Sequence, residues 1–176
     1  IWQDRYNLKD LVGICRLFGI SLREVYEKIS FIYFRNGKQR GNNSLPINLP
    51  KNFKDFFYLA GLLIGAGSGS KFIVGKEQLG RRFSEICNEL GIKANKVTQI
   101  DRTPEIHTNL TLVHILNCLF DYPLKQKSHN VRISNFLSIS ENENAAEFLK
   151  GYFDTDGCVE RSRSAVTISS DSKMMI

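Results

Sequence analysis

The residues with the clearest chemical potential lie in two nine-residue segments that align without a gap. They are Leu59-Ala60-Gly61-Leu62-Leu63-Ile64-Gly65-Ala66-Gly67 and Leu149-Lys150-Gly151-Tyr152-Phe153-Asp154-Thr155-Asp156-Gly157. They begin 90 residues apart and share Leu at the first position and Gly at the third and ninth. Phe57-Tyr58 precedes the first and Phe148 the second. Gly61 and Gly65 stand at i and i+4 and leave one helix face bare; Gly151 and Thr155 give a similar small-residue face. Such faces let two helices approach nearly to backbone contact. The residue before the terminal Gly then falls at a helix C-terminus, the negative end of the dipole and a poor place for a carboxylate. A cation beside it would explain an acid there. Two such helices side by side would pair two carboxylates, and paired carboxylates demand a metal ion or a shared proton. The second segment carries Asp156 at that position, whereas the first carries Ala66.

These segments need a scaffold, and the periodicity outlines one. Leu8, Leu11, Val12, Cys15 and Phe18 recur at helical steps. Gly19-Ile20-Ser21 breaks that pattern, and Ser21 with Glu24 forms a capping box for a second short helix carrying Arg23. Two helices joined at such a turn make a helix-turn-helix candidate, with a plain helical hairpin as the alternative. Phe31–Phe34 favours a strand, and Asn36-Gly37 a tight turn. Arg35, Lys38 and Arg40 cluster there, as a basic loop for phosphates or as a solvated turn. Pro46 and Pro50 bound a linker.

From Lys51 onward, helix and strand signals mix. Helices are expected over Asp55–Gly65, Lys76–Leu90 with Gly91 as its stop, Leu110–Phe120 and Asn144–Asp154. Strands are expected over Lys71–Val74, Val97–Arg102, Glu105–Asn109 and Ala165–Ser169. A polar connection over 121–143 contains one apolar stretch, Ile133–Leu137.

Composition narrows the class. The 176 residues are 42% hydrophobic, with a net charge of +6, which fits a folded domain and excludes disorder, collagen and a disulfide scaffold. No apolar run reaches the roughly 17–25 residues of a membrane span. The four cysteines, Cys15, Cys87, Cys118 and Cys158, have no zinc-ligand spacing and read as reduced, which implies an intracellular protein, cytoplasmic or nucleoid-associated. Ile1 in place of an initiator Met points to a fragment. The charge is uneven: residues 1–100 carry +8 and residues 101–176 carry −2. A basic N-terminal part suits a polyanion, most often nucleic acid.

The motif pair resembles the LAGLIDADG homing endonucleases, and the surrounding chain is similar to the intein-associated, two-motif type. The resemblance spans about residues 51–176 and includes Lys127-Ser128-His129-Asn130-Val131-Arg132-Ile133 before the second motif. It implies a mixed α/β (α+β) fold of two α-β-β-α-β-β-α halves, with the motif helices at a pseudo-twofold axis and antiparallel sheets saddling duplex DNA. It also implies that the last acid of each motif binds Mg²⁺ or another divalent metal for phosphodiester hydrolysis by water. Bases would be read by sheet side chains in the major groove, where all four pairs are distinguishable.

Measured against that pattern, the chain departs in three places. Ala66 stands where the first metal-binding acid is expected, and a methyl group coordinates nothing. Only 19 residues follow Gly157, too few for a second sheet. Between Gly67 and the helix near Lys76 there is room for about one strand of the family's hairpin. The expected organisation is a helix-turn-helix-like module over 1–50, a first half over 51–143 and the start of a second half over 144–176.

The resemblance makes Asp156 the metal ligand and catalytic acid, Ala66 the position of the lost acid, and Lys127 a basic residue near the scissile phosphate, with Lys125 as its neighbour. Asp154 and Asp55 are expected to be poor substitutes, the first pointing elsewhere and the second at the wrong helix end. Gln99, Arg102, His107 and Asn109 lie on the hairpin expected to face the groove, joining Arg23, Arg35, Lys38 and Arg40 as DNA-binding candidates. The expected activity is that of a homing endonuclease, impaired in this chain, on double-stranded DNA. The alternatives are a non-cleaving DNA- or intron-RNA-binding, maturase-like module and an inactive intein remnant. Ile1 is not a splicing nucleophile and Ile176 is not a terminal Asn, so embedding in an intein host rests on resemblance alone.

Overall fold

The computed structural model describes residues 8–21, 24–25, 28, 53–124, 131 and 142–169. Helix α1 spans Leu8–Phe18. It buries Val12 and Cys15 and leaves Leu17 and Phe18 exposed. Phe18 therefore departs from the apolar stripe expected for it, because the helix ends there and Gly19 turns the chain away at φ +63°. Most of the second helix of the helix-turn-helix candidate, the basic loop with Arg35, Lys38 and Arg40, and the linker lie outside the described residues.

The main body follows an α-β-β-α-β-β-α order. Helix α2 (Phe53–Ala66) runs into strand β1 (Gly67–Ser68), which turns back as β2 (Lys71–Ile73). Helix α3 (Glu77–Glu89) follows, then strands β3 (Asn95–Val97) and β4 (Glu105–His107) and helix α4 (Leu110–Phe120). The strands form one antiparallel sheet in the order β1-β2-β4-β3.

Two strands fit where the sequence offered room for one. Gly69, at φ +59°, and Ser70 close a two-residue turn between the paired Ser68 and Lys71. A positive φ at the first central position is what a tight hairpin of this hand requires, and Gly supplies it without steric cost.

Helix α3 forms on the expected residues because its apolar positions repeat every three to four. Phe83, Ile86 and Cys87 are buried. The ring of Phe83 stacks on Phe72 of β2, centroids 4.6 Å apart, and so pins the helix to one face of the sheet. Gly80 lets Val74 and Ile106 approach that helix closely. The helix stops as expected at Gly91, φ +70°, whose N–H donates to the Asn88 carbonyl. Helix α4 matches its expected span and contributes Leu112, Leu116 and Phe120 to the core. Phe120 meets Phe57 of α2 edge-on at 5.0 Å and Phe148 at 6.2 Å.

Helix α5 (Asn142–Asp156) leads directly into β5 (Gly157–Glu160), which pairs through a short 3-10 turn with β6 (Ala165–Ile168). In both hairpins the motif's final Gly is a paired residue: Gly67 pairs with Phe72, and Gly157 with Ile168. The helix-into-hairpin unit thus occurs twice, each time with the motif's final Gly as the first strand residue. The motif helices are longer than expected and run through the position of the motif acid.

Candidate nucleic-acid interface

Helices α2 and α5 make the most extensive contact between elements of the described molecule. The small residues cause it. A Cβ built on Gly61 would collide with the Phe148 carbonyl oxygen and lie 2.8 Å from the Tyr152 nitrogen. One on Gly151 would collide with the Tyr58 carbonyl oxygen and lie 3.0 Å from the Leu62 nitrogen. Further along, Gly65 faces Thr155. Contacts advance in the same direction on both helices, so their C-termini lie together. Gly65 and Thr155 touch, and the next residues are Ala66 and Asp156, the last of each helix.

At this junction Ala66 is partly buried and Asp156 is exposed. Two further acids of the motif helices have partners of their own. Asp154 accepts a hydrogen bond from the Tyr58 hydroxyl at 2.8 Å, across the helix pair. The Tyr58 phenol is pushed well above its ordinary value, first by burial and then by that hydrogen bond to a carboxylate. Lys150 lies 5.5 Å above the Tyr58 ring, an approach that suits a cation over a π face. Asp55, at the opposite end of α2, pairs with Arg82 of α3. Among the described residues no group of three His, Cys, Asp or Glu side chains could hold a metal ion. The residues that end the paired helices, one carboxylate and one methyl group, do not fit a two-acid metal centre.

The sheet distributes the remaining candidates. Side chains alternate across a strand. Phe72 and Ile106 face α3, so Lys71, Ile73, Glu105, His107, Asn95 and Val97 share the opposite, open face. His107 lies there with its Nε2 2.7 Å from Glu105 Oε2, and Lys71 Nζ is 3.1 Å from the same oxygen. These contacts hold the Glu105 carboxyl below its usual range, the His107 hydrogen bond contributing most. Gln99 and Arg102 are exposed but lie in the loop between β3 and β4, since β3 ends at Val97 rather than extending to Arg102. A turn at Ile100-Asp101, with Asp101 at φ +61°, and a bend at Arg102 take the chain out of extended geometry.

Asn109 has a structural duty: as N-cap of α4 its side chain accepts from the Thr111 and Leu112 N–H groups. Arg23, Arg35, Lys38, Arg40, Lys125 and Lys127 lie outside the described residues. Lys71, Glu105 and Asn95 were missed as site candidates. The register signal that finds them is their alternation with the apolar Phe72 and Ile106.

A scan against family models matches residues 143–176, spanning α5 and the second hairpin, to the LAGLIDADG-like domain. Residues 143–176 are of the LAGLIDADG-like type. The whole chain is similar to elongation factor 2 of Methanopyrus kandleri, 35% identical over 171 residues that cover 97% of the chain and 13% of that protein. It is 36% identical to the probable translation initiation factor IF-2 of Methanocaldococcus jannaschii, over 85% of the chain and 13% of the relative. It is also 26% identical to DNA-directed RNA polymerase subunit Rpo1C of the same organism, over 80% of the chain and 16% of the relative. The chain thus spans well under a fifth of the length of these curated relatives.

Proposed function

We propose that this chain is a duplex-DNA-binding LAGLIDADG domain, carried as an intein-type insertion in host proteins, whose homing-endonuclease cleavage is impaired at the first motif. The observation that carries the impairment is Ala66 as the last residue of α2, one step past the Gly65–Thr155 contact, where α5 ends on Asp156. Hydrolysis of a phosphodiester across two strands needs charge on both sides of the helix pair. A divalent metal ion held by acids there would stabilise the developing charge, a contribution of several kcal/mol. Asp156 is the carboxylate that would face Mg²⁺ or another divalent ion; Ala66 offers it nothing. Lost transition-state stabilisation of about 4 kcal/mol corresponds to roughly a thousandfold in rate.

The insertion reading is supported by the relatives. One stretch of sequence recurs in proteins named as an elongation factor, an initiation factor and an RNA polymerase subunit, as a small part of each. A segment shared by proteins of such different names behaves as a unit that moves between hosts.

Binding is tested by fluorescence anisotropy on a pool of randomised DNA duplexes over a range of salt concentrations, with and without Mg²⁺. The expected result is affinity that falls steeply with salt and does not change when Mg²⁺ is removed. No affinity at low salt would overturn the binding reading in favour of an inert remnant. Preference for structured RNA would replace it with a maturase-like role.

A further inference from the structure

The open face of the four-stranded sheet carries a carboxylate where a DNA-binding surface would be expected to have none. Lys71, His107 and Asn95 lie in one transverse row, because Lys71 and Asn95 both pair with His107. Neighbouring strands are about 4.8 Å apart, so the row spans about 10 Å, a width that enters the roughly 12 Å major groove. Glu105 sits in the adjacent row of the same face, between Ile73 and Val97. One of its oxygens receives both the Lys71 ammonium and the His107 ring nitrogen.

Stability does not account for this cluster. The three side chains are between a third and a half exposed, and ion pairs so exposed contribute little to folding. Yet the cluster has two consequences for a polyanion partner. It fixes two long, mobile side chains at one spacing. It also opposes phosphate, so a duplex that makes only backbone contacts is penalised.

We propose that Glu105 is a positioning residue of a base-reading row formed by Lys71, His107 and Asn95, which trades non-specific affinity for sequence selectivity. The proposal rests on the duplex-binding reading above. In the row, the Lys71 ammonium suits the O6 and N7 acceptors of guanine, and the Asn95 amide suits the N6 and N7 edge of adenine. Glu105 supplies the repulsive element that discriminating interfaces use beside the attractive one.

The full chain and its variants are compared on randomised DNA duplexes, by anisotropy against salt and by sequencing of the retained fraction. Glu105→Gln should bind the pool severalfold more tightly, steepen the logarithmic salt dependence by about one unit, and retain sequences with weaker enrichment. Lys71→Ala should weaken binding and make the salt dependence shallower by about one unit. Asn95→Ala should alter base preference with the salt dependence unchanged. Arg81→Ala, on α3 against the opposite face, should behave as the original chain. If the original chain binds while Glu105→Gln, Lys71→Ala and Asn95→Ala all match it in affinity, salt dependence and enrichment, the reading row is overturned and duplex binding stands. If the original chain binds no duplex, the duplex reading itself fails, and the row with it.

Discussion

The Tyr58–Asp154 hydrogen bond joins the two motif helices through side chains that no repeat pattern announces, since Tyr58 precedes its motif and Ile64 occupies the place equivalent to Asp154. Tyr58→Phe keeps the ring and removes the donor, leaving a half-buried carboxylate without that partner. The expected cost is about 1.5–3 kcal/mol by urea unfolding, the range for a hydrogen bond to a charged group. The phenol's pKa is raised in the fold, so its contribution is fully present below the unfolded value near ~10. It is lost only as pH rises through the higher folded value, and alkaline titration of stability should show this. The cysteines make a second test at this scale. Burial pushes the Cys87 thiol up to about 12, and Cys15 is also buried and raised, whereas Cys158 is exposed. Alkylation of the native chain should label Cys158 and spare Cys15 and Cys87 until the chain unfolds. Cys15, Cys87 and Cys118 all fall among apolar residues of helical pattern, and that periodicity accounts for the full burial of the first two and the partial burial of the third. It could not place Cys158, at a helix-to-strand junction where the period changes.

Between elements, the motif helices were legible because glycines at i and i+4 mean little except close approach. Gly61→Ala and Gly151→Ala each force a Cβ against backbone of the partner helix. Overpacking of this kind costs about 1–3 kcal/mol and can cost more, which exceeds the roughly 1 kcal/mol that Ala gains over Gly within a helix. Gly13→Ala in α1, where a Cβ meets nothing within 4 Å, should stabilise instead. Thermal melts of the three variants should therefore move in opposite directions. Turns were less legible. The Gly69-Ser70 turn was missed because two- and three-residue strands carry too few positions for alternation to register. Gln99 and Arg102 were drawn into a strand by β-branched neighbours whose preference the left-handed Asp101 overrides. The Lys71–Glu105–His107 cluster ties β2 to β4 and carries a pH signature. The Glu105 carboxyl is lowered in the fold, so its contribution is present above the ordinary carboxylate value and is lost as pH falls through the lower folded one. Because the pair is exposed this contribution is small, so acid titration of the original chain and of Glu105→Gln should show nearly the same loss of stability.

At the scale of the molecule, the mixed α/β fold and the repeated helix-into-hairpin unit were readable because the same nine-residue pattern recurs at both. The sheet as a surface was not, since which residues share the open face depends on pairings between strands more than 30 residues apart. The +8 charge of residues 1–100 includes Lys71 on that open face, and the duplex-DNA proposal draws on the charge asymmetry and the sheet geometry together. Ala66 then separates binding from cleavage: the chain retains the helix pair that would present Asp156 and lacks the second acid. The measurement that tests this most directly is sequencing of ends formed when the chain is incubated with a pool of randomised DNA duplexes and Mg²⁺. The account predicts duplexes bound but no discrete set of ends above background; specific double-strand cleavage at a recurring sequence would contradict it.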